Sequence, residues 1–585
     1  MYTQTFDPLR EGTHAAGPSV DAAEVFHMVM WFRNISRVLI GNLSDAPFWY
    51  HHNFVPIASD AIEEAFRKLK VLGFCQKRVL EVVRYGYDGE VDLVPLVRAL
   101  EHLPQLRHKG HVSCTPRFCG EAIKNFTSVD QLHKCVDSSK CGTTDGKMFD
   151  QRLLVAALHD NTATTAWTFD GMSLVPRGMS YLAVSHVWSD GTGAGAWKAG
   201  EVNECLWEFW VGIAKEGIAK TGIAKTGIAK EGRECVGIWW DTVCIPREKT
   251  ARSNALNKMH QNYEDAEYTV VHDLYLAGIE WKNDGSPCIA LALSPWFSRG
   301  WTALELRLSK KVLILFRQYN GYILKDLNQV LAQHRFLQSH AHWIATDAVE
   351  KVEHAAQRVQ DASSLLSIIR ARCTSWSQDQ SIIAGLMCGL TDHSGLPEQE
   401  ITKRIMLKLG EIERSFLLHG LPTISEPEFS WCPPRFPDIP CVPSPTHFIG
   451  VSSEGILKAR WEIWCISKSD VDKGTIRPMS ADMDVRSHVQ RALQKVEGCV
   501  ILTWELFDAQ GLLVRLKVDK YCTRETPLYC EYIGAVYVTP SEIRKNRKKA
   551  CREVNIGYRS GMVDVGVVDW DHELFLDCIT WWKNT

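Results

Sequence analysis

An α/β core set inside a larger multidomain α+β chain is the fold class this sequence predicts, and three observations predict it. The chain has 585 residues, enough at roughly 150 residues per domain for three or four independent cores. Between residues 181 and 316, short apolar, β-branched runs alternate with stretches of helical period. That alternation calls for a largely parallel sheet with helices on both faces. Eight of the 23 prolines then crowd into residues 422–445, where neither a helix nor a central strand can continue, so a further region is expected beyond them.

The strand candidates of the core are YLAVSHVW from Tyr181, VGIWWDTVCI from Val236, YTVVHDLYL from Tyr268 and KVLILF from Lys311. Between the second and third, Leu256, Met259, Tyr263 and Ala266 recur at helical spacing over residues 253–267. Between the third and fourth, Ser294 and Pro295 read as N-cap and first-turn proline of a helix over 296–309. Upstream, residues 20–105 show helical periodicity, and 25–43 read as an amphipathic helix because Arg33 and Arg37 interrupt the apolar run. Residues 345–420 are again helical, whereas 498–521 read as a hairpin and 528–538 as a further strand. The expected division is a helical N-terminal region (1–150), the core (178–340), a helical extension (341–420), a linker (421–446) and an α+β region (447–585).

One insertion breaks the core. GIAKE, GIAKT, GIAKT and GIAKE follow one another over residues 212–231. A five-residue step turns successive isoleucines by roughly 140° on a helix, so they form no stripe. Each glycine also costs about 1 kcal/mol relative to alanine. A surface extension without a chemical role is the reading.

Composition excludes several classes. With 45% hydrophobic and 23% charged residues, the chain is neither disordered nor fibrous. A net charge of −3 provides no field for a polyanion, and the basic cluster Arg544, Lys545, Arg547, Lys548, Lys549 and Arg552 lacks interleaved aromatics, so a solvated helix face is expected and nucleic acid is not. No leader-like N-terminus or 18-residue apolar run is found, so no membrane span is expected. Nineteen scattered cysteines point to a reducing, cytoplasmic setting. Cys114, Cys119, His133, Cys135 and Cys141 have spacings a zinc site could use but match no strict finger pattern. Unpaired thiols are the ordinary reading, and no metal is assigned.

In open parallel sheets ligands sit beyond the carboxyl ends of the strands. Two loops qualify. The first runs from Trp188 through Ser189, Asp190, Gly191 and Gly193 to Gly195; its backbone N–H groups could line a phosphate, though a simple turn explains it as well. The second carries Asp241 after Trp239 and Trp240, placed to hold a ribose hydroxyl or to cap a turn. Ser185 and His186 are strand neighbours pointing to opposite faces and form no dyad, and Cys244 reads as a buried thiol. In WTALELRL, Trp301, Leu304, Glu305 and Leu308 share a helical face, which puts the Glu305 carboxylate on the apolar side. Such a carboxylate is either paired, with Arg299 or Arg307 as candidates, or used.

Four blocks, YLAVSHVWSDGTG, IWWDTVCIPRE, NKMHQNYEDAEYTVVHD and SPWFSRGWTALEL, stand in this order over residues 181–316. In that order they resemble the blocks of the fungal heterokaryon-incompatibility (HET) domain family. The glycine loop is followed here by the repeat insertion, and Leu304 stands where the family usually has glutamine. The HET domain is distantly similar to the TIR fold, whose NAD-cleaving members use a glutamate on the corresponding helix. The resemblance therefore implies a TIR-like core, a role in self/non-self recognition and regulated cell death, and Glu305 as the catalytic residue. It further implies NAD as substrate rather than resident cofactor. Ser185 belongs to the site; Trp188 or Trp301 would stack on the base, Gly191 and Gly193 would hold the pyrophosphate, and Asp190 or Asp241 would bind ribose. The alternative is a non-enzymatic module that signals through self-association or another incompatibility protein.

Overall fold

The computed structural model describes residues 50–564 apart from 85–92, 109, 112, 117, 121–128, 145–146, 161–162, 194–200, 218–233, 320, 333–339, 355–360, 392–394, 441–446, 467, 497, 505–509, 519–526 and 540–549. The expected helix over 25–43, most of the pentapeptide repeat and most of the basic cluster lie outside the described residues.

The four expected core strands form as β3 (Tyr181–His186), β4 (Gly237–Trp240), β5 (Tyr268–His272) and β6 (Val312–Gln318). They run parallel in the order β4-β3-β5-β6. β3, β4 and β5 are buried along their whole length, which is why their sequences are continuous apolar runs rather than alternating ones. Antiparallel strands extend both edges: β1 (Ala163–Thr168) and β2 (Leu174–Pro176) beyond β4, and β7 (Gly321–Asp326) beyond β6, for seven strands in all. The β1–β2 hairpin places the start of the sheet before the boundary expected at residue 178.

Tryptophans fill one layer of this core. Trp167, Trp210, Trp239 and Trp240 are almost fully buried. The indole N–H groups of Trp167, Trp239 and Trp240 donate to Val243 O (3.0 Å), Thr165 Oγ1 (3.0 Å) and Thr192 O (3.1 Å), the usual way a buried indole is satisfied. On the other face of the sheet, the helices Ser286–Leu293, Gly300–Leu308 and His340–Glu353 join a cluster that runs on into the C-terminal region.

The expected helix over 253–267 is two, Lys249–Asn257 and Met259–Asp265, the first capped by Glu248. Ser294 and Pro295 do not start a helix. Ser294 ends Ser286–Leu293, its Oγ accepts from Phe297 N (3.0 Å), and the next helix begins at Gly300. The N-terminal helices Tyr50–Leu72, Gln76–Arg84 and Leu93–Glu101 pack on this side, and Ala362–Arg370, Ser377–Met387 and Glu398–Leu409 form the helical extension.

The proline-dense segment, as far as Pro440, is not a linker. It folds into the turns Pro427–Phe429 and Phe436–Asp438 and buries Phe429, Trp431, Cys432, Phe436 and Ile439 in the shared core. Proline forbids regular structure but not packing, and here it stiffens a buried coil.

The C-terminal region adds β8 (Glu411–Glu413), β9 (Phe448–Val451), β10 (Leu457–Cys465), β11 (Ile476–Pro478), β12 (Cys499–Thr503), β13 (Gln510–Val518), β14 (Leu528–Val538), β15 (Ala550–Ile556) and β16 (Val563–Asp564). β12, β13 and β14 are the expected hairpin and third strand. β15 closes them by pairing antiparallel with β10 and parallel with β14, which gives a five-stranded barrel β10-β12-β13-β14-β15. Arg552, the described member of the basic cluster, lies on β15 rather than on a helix. None of the described helices is long and apolar enough to cross a membrane.

Candidate functional site

The carboxyl ends of β3, β4 and β5 converge, and each delivers polar groups: buried Ser185 and His186 from β3, half-buried Asp241 just past β4, and buried His272 with Asp273 from β5. The alternation of a strand sends Ser185 and His186 to different networks.

On the Ser185 side stands Glu305, 8% exposed, on the helix Gly300–Leu308. Ser185 Oγ donates to Glu305 Oε2 and accepts from Trp296 Nε1 at 2.6 Å. Burial pushes the Glu305 carboxyl above its ordinary range; the Ser185 hydroxyl and the Arg299 charge work against that shift. The expected arginine partners are engaged with carbonyls: Arg299 donates to His186 O (2.7 Å) and Arg307 to Met387 O. The hydroxyl of a strand 120 residues earlier thus holds the carboxylate that periodicity placed on the apolar face.

On the other side His186 Nε2 lies 2.6 Å from Asp241 Oδ1, and its Nδ1 lies 2.8 Å from Thr192 Oγ1. Asp241 Oδ2 also accepts from Trp188 Nε1 at 2.7 Å. Burial works against ionised Asp241, yet His186 and the Trp188 indole outweigh it and hold its carboxyl below the usual carboxylate range. Two carboxyls, one on the helix Gly300–Leu308 and one just past β4, are thereby shifted in opposite directions, Glu305 up and Asp241 down.

The glycine loop is more enclosed than expected. Gly191 has φ +79°, and a Cβ there would meet Asp130 O at 2.5 Å, because Leu132 N donates to Gly191 O (2.8 Å). A Cβ on Gly193 would meet the Trp188 ring at 2.6 Å. Both glycines are therefore needed for close approach by protein atoms. Asp190 accepts from Leu274 N (2.6 Å), and burial beside Asp273 pushes its carboxyl up to about 8. Trp301 points elsewhere and donates to Asp379 Oδ2 at 2.9 Å. Among the expected residues, then, Ser185, Glu305, Trp188 and Asp241 converge on the end of β3, Asp190 lies beside them at the end of β5, and Trp301 does not join them.

Three participants were not expected. Lys134 Nζ lies 3.1 Å from His272 Nε2 and over the rings of Phe209 and Tyr322, and burial lowers its ammonium to about 8. Asp273 caps the helix Leu274–Gly278 and accepts from Trp296 N at 2.7 Å. Asp273 follows β5 as Asp241 follows β4, and that repetition was a readable signal; Lys134, which arrives from a loop, left none. Cys244 is buried and its thiol accepts from Trp240 N, in line with its reading as a core cysteine.

No family model, curated protein or solved structure matches this chain.

Proposed function

We propose that residues 181–316 form a HET-type, TIR-like domain, that the protein acts in fungal self/non-self recognition and regulated cell death, and that it does so by hydrolysing the nicotinamide–ribose bond of NAD. The observation that carries the reading is Glu305, a buried carboxylate held by Ser185 beside the carboxyl ends of the parallel strands.

As the bond between nicotinamide and the ribose carbon breaks, its electron pair leaves with neutral nicotinamide, and positive charge develops on the ribose. A carboxylate in a dry, preorganised pocket attracts that charge far more strongly than it would in water. Burial favours neutral Glu305, whereas Ser185 and Arg299 favour the anion, and a cationic substrate would add to their effect. Water then joins the ribose carbon and releases a proton, giving ADP-ribose. In this reading Asp241, which bonds to His186 and Trp188, or Asp190 would bind the ribose hydroxyls.

A second reading is favoured by one specific observation. Leu132 covers Gly191 and the Trp188 ring lies against Gly193, so the loop N–H groups are enclosed by the protein's own chain. In a binding module that signals without chemistry, this packing would be permanent. The experiment is to concentrate or crowd the purified full chain to force association and to follow NAD. Nicotinamide released in step with ADP-ribose supports the enzyme; NAD unchanged under those conditions leaves the binding module.

A further inference from the structure

We infer that the chain binds two structural zinc ions, each in a cluster of three cysteines and one histidine outside the candidate site. The first cluster is Cys75, His111, Cys114 and Cys119, all buried; the second is His133, Cys135, Cys141 and Cys205, all half-buried. In each, the four ligand atoms lie within 4.8 Å of one another, and none of these cysteines is in a disulfide.

The separations fit a tetrahedral ion. Zinc bonds of about 2.3 Å to sulfur and about 2.0 Å to nitrogen put neighbouring ligand atoms roughly 3.5–3.8 Å apart. His111 Nδ1 lies 3.4 Å from Cys114 Sγ and 3.5 Å from Cys119 Sγ. His133 Nδ1 lies 3.8 Å from Cys135 Sγ and 3.9 Å from Cys205 Sγ. A closed set of three thiolates and one imidazole suits structural zinc, with no open position for chemistry.

The backbone is arranged to match. Cys75 precedes the helix Gln76–Arg84, its carbonyl accepts from Val79 N, and the Arg78 amide donates to its sulfur. Beside it, His108 accepts from Cys75 N (3.1 Å) through Nδ1 and contacts Leu293 O (3.0 Å) through Nε2, which ties the first cluster to the α/β core. In the second cluster, an isolated bridge pairs Thr143 with Asn203, and Glu204 N donates to Gly142 O (3.0 Å). That pairing sets Cys141 beside Cys205, and Lys134 N donates to the Cys205 sulfur at 3.1 Å. Amide donors of this kind suit thiolates bound to a metal.

The second ion also has a place in the architecture of the site. It fixes residues 133–141 to the helix Glu204–Gly212. The adjoining residues are those that cross the glycine loop through Leu132 and reach His272 through Lys134.

The test is elemental analysis of the full-length protein purified from zinc-supplemented cells, followed by cobalt exchange. Two zinc ions per chain are expected, with Cys114→Ser/Cys119→Ser losing one and Cys135→Ser/Cys141→Ser losing the other. If either variant fails to fold, titrating wild-type thiols with an organomercurial should still release two zinc ions. Cobalt-loaded wild type should show thiolate-to-metal charge-transfer absorption. A cooperatively folded wild-type chain without bound metal overturns the proposal, as does iron in place of zinc, or a metal content that both double variants leave unchanged.

Discussion

The core sheet and the C-terminal barrel solve the same burial problem with different treatment of polar groups. In the sheet, strand ends deliver Ser185, His186, His272 and Asp273 into an almost dry interior, where Ser185, His186 and His272 are met by side chains and Asp273 by backbone amides. In the barrel, β10 and β12–β15 pair until the sheet closes, and the buried Lys517 is met by the partly exposed carboxylates of Glu531 (2.9 Å) and Asp564 (2.7 Å) at the barrel's margin. Closure removes exposed edges and needs apolar filling. Convergent strand ends gather dipoles, carboxylates and imidazoles at one place. Chemistry is expected where polar burial is expensive and tolerated, and stability where burial is apolar.

The largest expected effect falls in the barrel. Leu513 is fully buried between β13 and the helix Met483–Lys495, and Leu513→Ala should cost about 2–5 kcal/mol of stability. Urea unfolding checks this, and nicotinamide release by the fraction that stays folded should equal that of wild type. A fall in turnover per folded molecule would break the division between the two regions.

A smaller, pH-dependent effect is expected at Asp190. Its carboxyl binds a proton more tightly folded, at about 8, than unfolded, at about 4. Its contribution is therefore complete below the unfolded value and is lost as pH rises toward the folded one. Asp190→Asn keeps an acceptor for the Leu274 amide and removes the titration. The variant should gain stability relative to wild type as pH is raised from about 5 to about 8. His272, held neutral by burial, changes in the opposite sense but is common to both proteins and cancels. Parallel stability curves for the two proteins would contradict the assignment.

What the sequence made legible follows the same division. β3 to β6 could be read because strands buried on both faces are continuous β-branched runs, and Glu305 could be placed on an apolar face from helical spacing alone. Its partner could not be read: Ser185 is 120 residues away, and the nearby arginines, the natural candidates, instead bond to His186 O and Met387 O. Proline density announced the absence of regular structure at 422–440 but not the burial of Phe429 and Trp431. Three barrel strands were visible as a hairpin and its neighbour, whereas closure by β15 depends on long-range pairing that no local pattern encodes. The cysteine clusters fail to read for a similar reason, since Cys75 and Cys205 join their partners only through the fold.

The central claim is that Glu305 is retained for charge stabilisation rather than for packing. Glu305→Gln preserves its shape and an acceptor for Ser185 while removing the charge. The direct measurement is nicotinamide release by wild type and Glu305→Gln at matched concentration, with melting temperatures recorded on the same samples. The account predicts nearly equal melting and a loss of turnover on the order of 100-fold or more, the usual consequence of deleting one preorganised electrostatic contact. Undiminished nicotinamide release by a folded Glu305→Gln protein, or its failure to fold at all, would contradict it.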